Sequence, residues 1–163
     1  MVDFADTTAD PGTFTRTARI TFAGGGEPEF TRADLVFTGV DHGKSSYEVR
    51  VFLNDPAADG AYAGRFHVFG HGGCFGDLGH CDVPEPSADP TDLRPRHQLT
   101  PLTTYLTVTG PLRRLLAGGT ALETVTMLAI ALPPRREDHA PTLDLFLFRT
   151  VDLRTYFTPA TPG

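Results

Sequence analysis

Glycine and proline cut this chain into short pieces, and the residues between them alternate apolar and polar with a period of two. There are 17 glycines and 14 prolines in 163 residues, a density that suits turns and short strands rather than long helices. Over Thr13 to Phe22, Phe14, Ala18, Ile20 and Phe22 stand against threonine and arginine, the period of a half-buried strand. Gly24-Gly25-Gly26 behind it reads as a hairpin turn. A second strand reads across Asp34 to Phe37. A third puts Tyr47, Val49, Val51 and Leu53 on one face and Glu48 and Arg50 on the other, and the turn Asn54-Asp55-Pro56 closes it. Gly64 to Gly70 predicts a fourth, in which Phe66 and Val68 face one way and His67, Phe69 and His71 the other. Leu102 to Val108, Glu123 to Leu132 and Thr142 to Tyr156 complete the strands. Between the first two of these lies a short helix, with Thr109 expected as its cap and Gly118 as its stop. The expected fold is all-β: an antiparallel β-sandwich of about seven strands with one short helix.

The domain organisation follows from the same punctuation. Residues 1–12 read as a flexible N-terminal segment, residues 13–157 as a single sandwich domain, and residues 158–163 as a disordered tail. Inside the domain, residues 70–101 carry Pro84, Pro86, Pro90, Pro95 and Pro101, too many for a central strand or a helix, so a long loop is expected there. The 14 Lys and Arg against 20 Asp and Glu leave a net charge of −6, which argues against nucleic acid as a partner. The longest apolar run, near Met127 to Leu132, is far short of the roughly 20 residues a membrane-spanning helix needs. The start shows no basic segment followed by an apolar one, so no secretory signal is visible and the cytoplasm is the default compartment. A signal already removed would leave the same picture.

The chemistry concentrates in one stretch, from His67 to Asp82. It holds both cysteines and three of the six histidines. Imidazole and thiolate suit copper and zinc, and a closed site needs three or four such ligands converging from a pliable loop. Gly70, Gly72, Gly73, Gly76 and Gly79 give this loop the freedom to fold back on itself. The candidate ligands are Cys74, Cys81, His71, His80 and His67, with copper as the expected metal and zinc as the alternative. Other readings stand beside this one. Cys74 and Cys81 can form a disulfide closing a short loop, or remain two free thiols. His67 also reads as a strand histidine hydrogen-bonded to a neighbour, and Asp77 and Asp82 as loop caps. His42, His97 and His139 read as solvated loop residues, and Arg113-Arg114 as the wet face of the helix. No nucleophile elbow, phosphate loop or dinucleotide fingerprint occurs.

Three pieces carry a family resemblance: Ser46-Tyr47-Glu48-Val49-Arg50-Val51-Phe52-Leu53-Asn54, then Tyr62-Ala63-Gly64-Arg65-Phe66-His67-Val68-Phe69-Gly70, then Leu106-Thr107-Val108-Thr109-Gly110-Pro111-Leu112-Arg113-Arg114-Leu115-Leu116. In this order they resemble the β-sandwich domain that follows the copper domain in tyrosinases, polyphenol oxidases and molluscan haemocyanins, over Leu35 to Leu116. In that family the oxidase chemistry belongs to a separate helical domain with two coppers, each held by three histidines. This chain has six histidines in all, and its only pair at i, i+4, His67 and His71, falls on an expected strand, so it does not build a dicopper centre by itself. The resemblance implies an accessory role: covering the entrance of a partner copper-oxidase domain, or assisting its copper loading. Some fungal relatives use a C-x-x-C motif for copper incorporation, whereas this chain has Cys74-x6-Cys81.

The first reading is therefore a copper-associated accessory β-sandwich with a His/Cys loop and a tyrosinase-type copper oxidase domain as partner. The alternatives are a stand-alone mononuclear copper or zinc enzyme using His67, His71 and cysteine ligands, and a structural docking module with a Cys74–Cys81 disulfide.

Overall fold

The computed structural model describes residues 13–22, 30–43, 45–71, 101–132 and 146–157. Seven strands and one helix follow in the order β1 (Thr13–Phe22), β2 (Arg32–Val40), β3 (Tyr47–Leu53), β4 (Tyr62–Val68), β5 (Leu102–Thr107), α1 (Thr109–Ala117), β6 (Leu122–Ala131) and β7 (Thr150–Tyr156). They form a four-stranded sheet in the order β1-β6-β3-β4 and a three-stranded sheet in the order β5-β2-β7. All pairings are antiparallel. This is the all-β sandwich that the period-two alternation predicts.

The apolar faces of the two sheets meet in one core. Phe14 and Ala18 of β1, Leu35 and Phe37 of β2, Tyr47, Val49, Val51 and Leu53 of β3, Phe66 and Val68 of β4, and Val125, Met127 and Ala129 of β6 are all buried in it. Leu112 and Leu116 of α1 close one end. Phe37 reaches across from the small sheet to Phe66 of the large one, ring centroids 5.0 Å apart. Phe146 and Phe148, which precede β7, stack against the same group: Phe146 lies 5.9 Å from Phe66 and 5.8 Å from Tyr47, and Phe148 lies edge-on to Phe37 at 5.9 Å. Aromatic pairs at these distances and tilts add to the stabilisation from buried area alone.

Several local expectations are corrected. β1 and β2 lie in different sheets, so the connection through Gly24-Gly25-Gly26 crosses between sheets and is not the turn of a hairpin; those glycines themselves lie outside the described residues. β2 extends beyond Asp34–Phe37 because it is the central strand of its sheet, bonded to β5 on one side and β7 on the other. Gly39 sits at the register shift between Thr38 and Val40 with φ +69°, where a Cβ would meet Arg149 Cβ at 2.8 Å. Only glycine takes that bulge without strain. β4 ends at Val68, paired with Tyr47, the first residue of β3, so Phe69, Gly70 and His71 run past the sheet. β7 begins at Thr150, and Phe146 to Phe148 are not in strand although both phenylalanines are buried.

Thr109 does not cap α1. Val108 holds the cap position with no side-chain hydrogen bond, and Thr109 Oγ1 instead accepts the Ala33 N–H at 2.9 Å. The Val108 N–H donates to Ala33 O at 2.8 Å, so the helix start is tied to β2. Gly118 does end the helix, its N–H donating to Arg114 O. Arg113 is more than a wet residue: its Nη2 donates to Phe30 O and its guanidinium lies 5.6 Å from the Phe30 ring centre. Asn54 takes φ +60°, a conformation its side chain secures by donating to Ala121 O at 2.9 Å and accepting from Glu123 N at 2.8 Å.

Phe37 bridges the sheets, so Phe37→Ala removes a large contact between them. Denaturant unfolding should show a loss of about 3–5 kcal/mol, against less than about 1 kcal/mol for an exposed change such as Tyr105→Ser.

Candidate functional site

Two of the five candidate ligands, His67 and His71, fall within the described residues; Cys74, His80 and Cys81 lie outside them. His97 and His139 also lie outside. The expectation that His67 and His71 share a strand face applies only as far as the strand runs, and β4 stops at Val68. Each histidine has its own setting.

His71 belongs to a rim at one end of the sandwich, built outward from the aromatic core. Tyr47 is fully buried, and its hydroxyl donates to Asp41 O at 2.9 Å. Burial, with the Asp41 charge adding to it, pushes the Tyr47 phenol well above its ordinary pKa, so it remains a donor. The Asp41 N–H donates to Leu147 O at 2.8 Å, and Asp41 Oδ1 accepts the Gly43 N–H at 2.8 Å. His42 is held on this turn. Its carbonyl accepts the His71 N–H at 2.8 Å, and the two imidazoles meet edge to face with centroids 5.1 Å apart. The neighbouring Gly70 N–H donates to Ser46 Oγ at 3.0 Å, and Ser46 O accepts the Leu132 N–H at 3.0 Å. Four stretches of chain thus converge where the polypeptide leaves His71 toward Cys74.

His42 is the residue that sequence reasoning missed. It was expected as a solvated loop histidine, and the structure makes it the half-buried neighbour of His71. No local pattern links the two, because their approach depends on the Tyr47–Asp41 hydrogen bond and on the end of β4.

His67 lies on the outward face of the four-stranded sheet. Cross-strand register sets Glu48 opposite His67, Arg50 opposite Arg65, and Phe52 opposite Tyr62. Glu48 is only 8% exposed and gathers all three cationic or basic neighbours: Arg50 Nε donates to Oε1 at 2.6 Å, and Oε2 receives Arg65 Nη1 at 3.2 Å and His67 Nε2 at 3.1 Å. The Arg50 hydrogen bond outweighs burial and, with the charges of Arg50 and Arg65, holds the Glu48 carboxyl below its usual range. An ionised carboxylate only accepts, so His67 Nε2 carries the proton. This is the hydrogen-bonded strand histidine of the second sequence reading, and ligation through Nε2 would require His67 to leave Glu48.

Among the described residues, no group of three or more His, Cys, Asp or Glu is arranged to hold a metal ion. Among them, too, no helix is long and apolar enough to cross a membrane. What the rim supplies is a pair of imidazoles; what the outer face supplies is a pair of guanidiniums around one carboxylate.

No protein family matches the chain, and no curated protein does. Among solved structures it is similar to a recombinantly expressed latent aurone synthase, a polyphenol oxidase, at 12% identity and a TM-score of 0.45, over 95% of this chain and 26% of that one. The chain spans about a quarter of that protein's length.

The Glu48 cluster sets a pH dependence. Because the folded-state pKa is lowered, its contribution is present above the ordinary carboxylate pKa and is lost as pH falls through the lowered value. Glu48→Gln should therefore melt below the parent at neutral pH, and the gap should close on acidification. Melting curves from neutral to strongly acidic pH measure this; a gap that widens in acid contradicts it.

Proposed function

We propose that this chain is a copper-associated accessory β-sandwich. It binds a metal ion, copper first and zinc as the alternative, through the segment that holds His71, Cys74, His80 and Cys81, and shields or loads a tyrosinase-type copper oxidase domain. The observation that carries this reading is the His42–His71 pair, two imidazoles 5.1 Å apart where the chain enters the cysteine-bearing segment. Two imidazoles fixed on the sandwich, followed three residues later by a thiol and then by a second, form a donor set that suits copper or zinc. His42 joins the candidate ligands on this ground.

The three resembling pieces support the same reading. They form β3, β4, and the join of β5 with α1, so they supply both sheets and the helix rather than one isolated hairpin. Residues 13–157 are read as one domain around this core. The cysteines would supply soft thiolate ligands, which favour Cu(I), and that fits holding and transfer of the metal better than turnover. The sandwich residues have a simpler task. Tyr47 and Ser46 hold the two histidine-bearing stretches in place, and His42 and His71 bring two imidazoles side by side at that point.

Metal analysis of protein purified without a metal-affinity tag, paired with thiol titration, tests the proposal. The expected result is near-stoichiometric copper, free thiols once the metal is removed, and affinity that rises with pH as ligand protons are lost. Cys74→Ser or Cys81→Ser should abolish tight binding, His42→Ala, His71→Ala and His80→Ala should each weaken it, and His97→Ala should leave it intact. The isolated chain should not oxidise simple diphenols, even when loaded. Both cysteine variants binding copper as tightly as the parent would overturn the metal site. A mass two hydrogen atoms lighter without reductant, and no metal uptake, would establish the disulfide-bearing docking module instead.

A further inference from the structure

The outward face of the four-stranded sheet carries more than a local ion pair. Arg50 and Arg65 stand directly opposite each other in the β3–β4 register, a like-charge cross-strand arrangement that disfavours pairing. A single carboxylate, Glu48, lies beside them, and His67 shares it. Both Glu48 oxygens are engaged and the carboxyl is held in its charged form, so Glu48 has no further neutralisation to offer. The cluster retains excess positive charge in a chain whose net charge is −6. Both arginine side chains remain about half exposed, 47% for Arg50 and 58% for Arg65. Arg50 uses its Nε and Arg65 one terminal nitrogen on Glu48, while a guanidinium has five N–H donors arranged to clasp a carboxylate.

The surroundings are those of a protein-binding face. One step along the register, Phe52 and Tyr62 stack edge to face at 5.7 Å, with Tyr62 exposed. On the other side, β6 sets Leu128 against Arg50 and Ile130 against Glu48, both half-buried. Arginine, tyrosine and phenylalanine beside aliphatic residues are the enriched composition of interfaces.

We propose that this face docks an acidic segment of a partner protein, with carboxylates of the partner seated on Arg50 and Arg65 and an apolar side chain laid on the Phe52–Tyr62 pair. The inference is independent of the metal reading and uses none of its ligands other than His67, which stays on Glu48. Charge complementarity selects the occupant. A nucleic acid would meet an acidic chain with only a small positive excess on this face, and a two-fold contact centred on this cluster would set one arginine pair on another.

The test is a nuclear magnetic resonance titration of the full chain with a synthetic peptide of glutamates interleaved with leucine and tyrosine. Parallel arms use the same peptide with glutamine for glutamate, inorganic phosphate, and a short DNA duplex. The expected result is that the acidic peptide alone shifts amides of β3, β4 and β6. Arg50→Gln with Arg65→Gln should weaken binding by about tenfold or more, and added salt should weaken it further. The single variant Arg65→Gln, which leaves Glu48 paired with Arg50 and His67, serves if the double variant unfolds and should weaken binding in the same direction. Shifts that map elsewhere, unaltered binding by Arg65→Gln, or equal binding of phosphate or DNA would overturn the proposal. So would a dimer in sedimentation that the same substitution dissolves, which would assign the face to a second copy.

Discussion

The aromatic group around Phe37 and Phe66 packs the two sheets together at the centre of the shared core, and much of the molecule depends on it. Phe37 is the inward residue at the middle of the small sheet's central strand, and Phe66 is its counterpart on the outer strand of the large sheet. Phe146, Phe148 and Tyr47 complete the group. Five rings drawn from four separate stretches of chain fill the gap between sheets. The consequence reaches the surface, because burying the Tyr47 ring in that gap aims its hydroxyl at the Asp41 carbonyl and so fixes the turn that bears His42.

The outward faces follow a second rule. Each sheet carries a buried carboxylate on an inner strand, clasped by an arginine two residues away. Asp34 of β2 is 1% exposed and meets Arg32 Nε at 2.8–2.9 Å from its two oxygens; Glu48 of β3 meets Arg50 Nε through Oε1 alone, at 2.6 Å. Residues i and i+2 share a strand face, so each clasp forms within its own strand. A one-residue slip would turn both carboxylates into the core, where an unpaired charge is costly. The clasps therefore act on register. The difference between them is what lies around: among the described residues Asp34 is ion-paired with Arg32 and faces Arg154 across the register, whereas Glu48 is shared among two arginines and a histidine.

Legibility differed by level. The period of two located the strands, since alternation depends only on which residues face water. Where it stopped short, the cause was a partner. β2 outgrew its apolar run because two neighbours bond it, and β4 stopped short of Gly70 because β3 begins at Tyr47. Thr109 looked like a cap, yet its hydroxyl serves the backbone of β2, a contact no local pattern announces. Of the candidate ligands, His71 was legible from its closeness to Cys74. His42 was not, because it lies far from His71 in sequence and reaches it only through the turn that the buried Tyr47 holds.

By itself the sequence determined the all-β class, the core face of most strands and the concentration of imidazole and thiol between His67 and Cys81. These depend on short-range periodicity and composition, which each segment carries alone. Only the tertiary structure decided that β1 and β2 belong to different sheets, that His42 stands against His71, and that Arg50 and Arg65 face each other around Glu48. Those are choices of partner, and a strand's alternation states which side is apolar without stating which strand lies beside it.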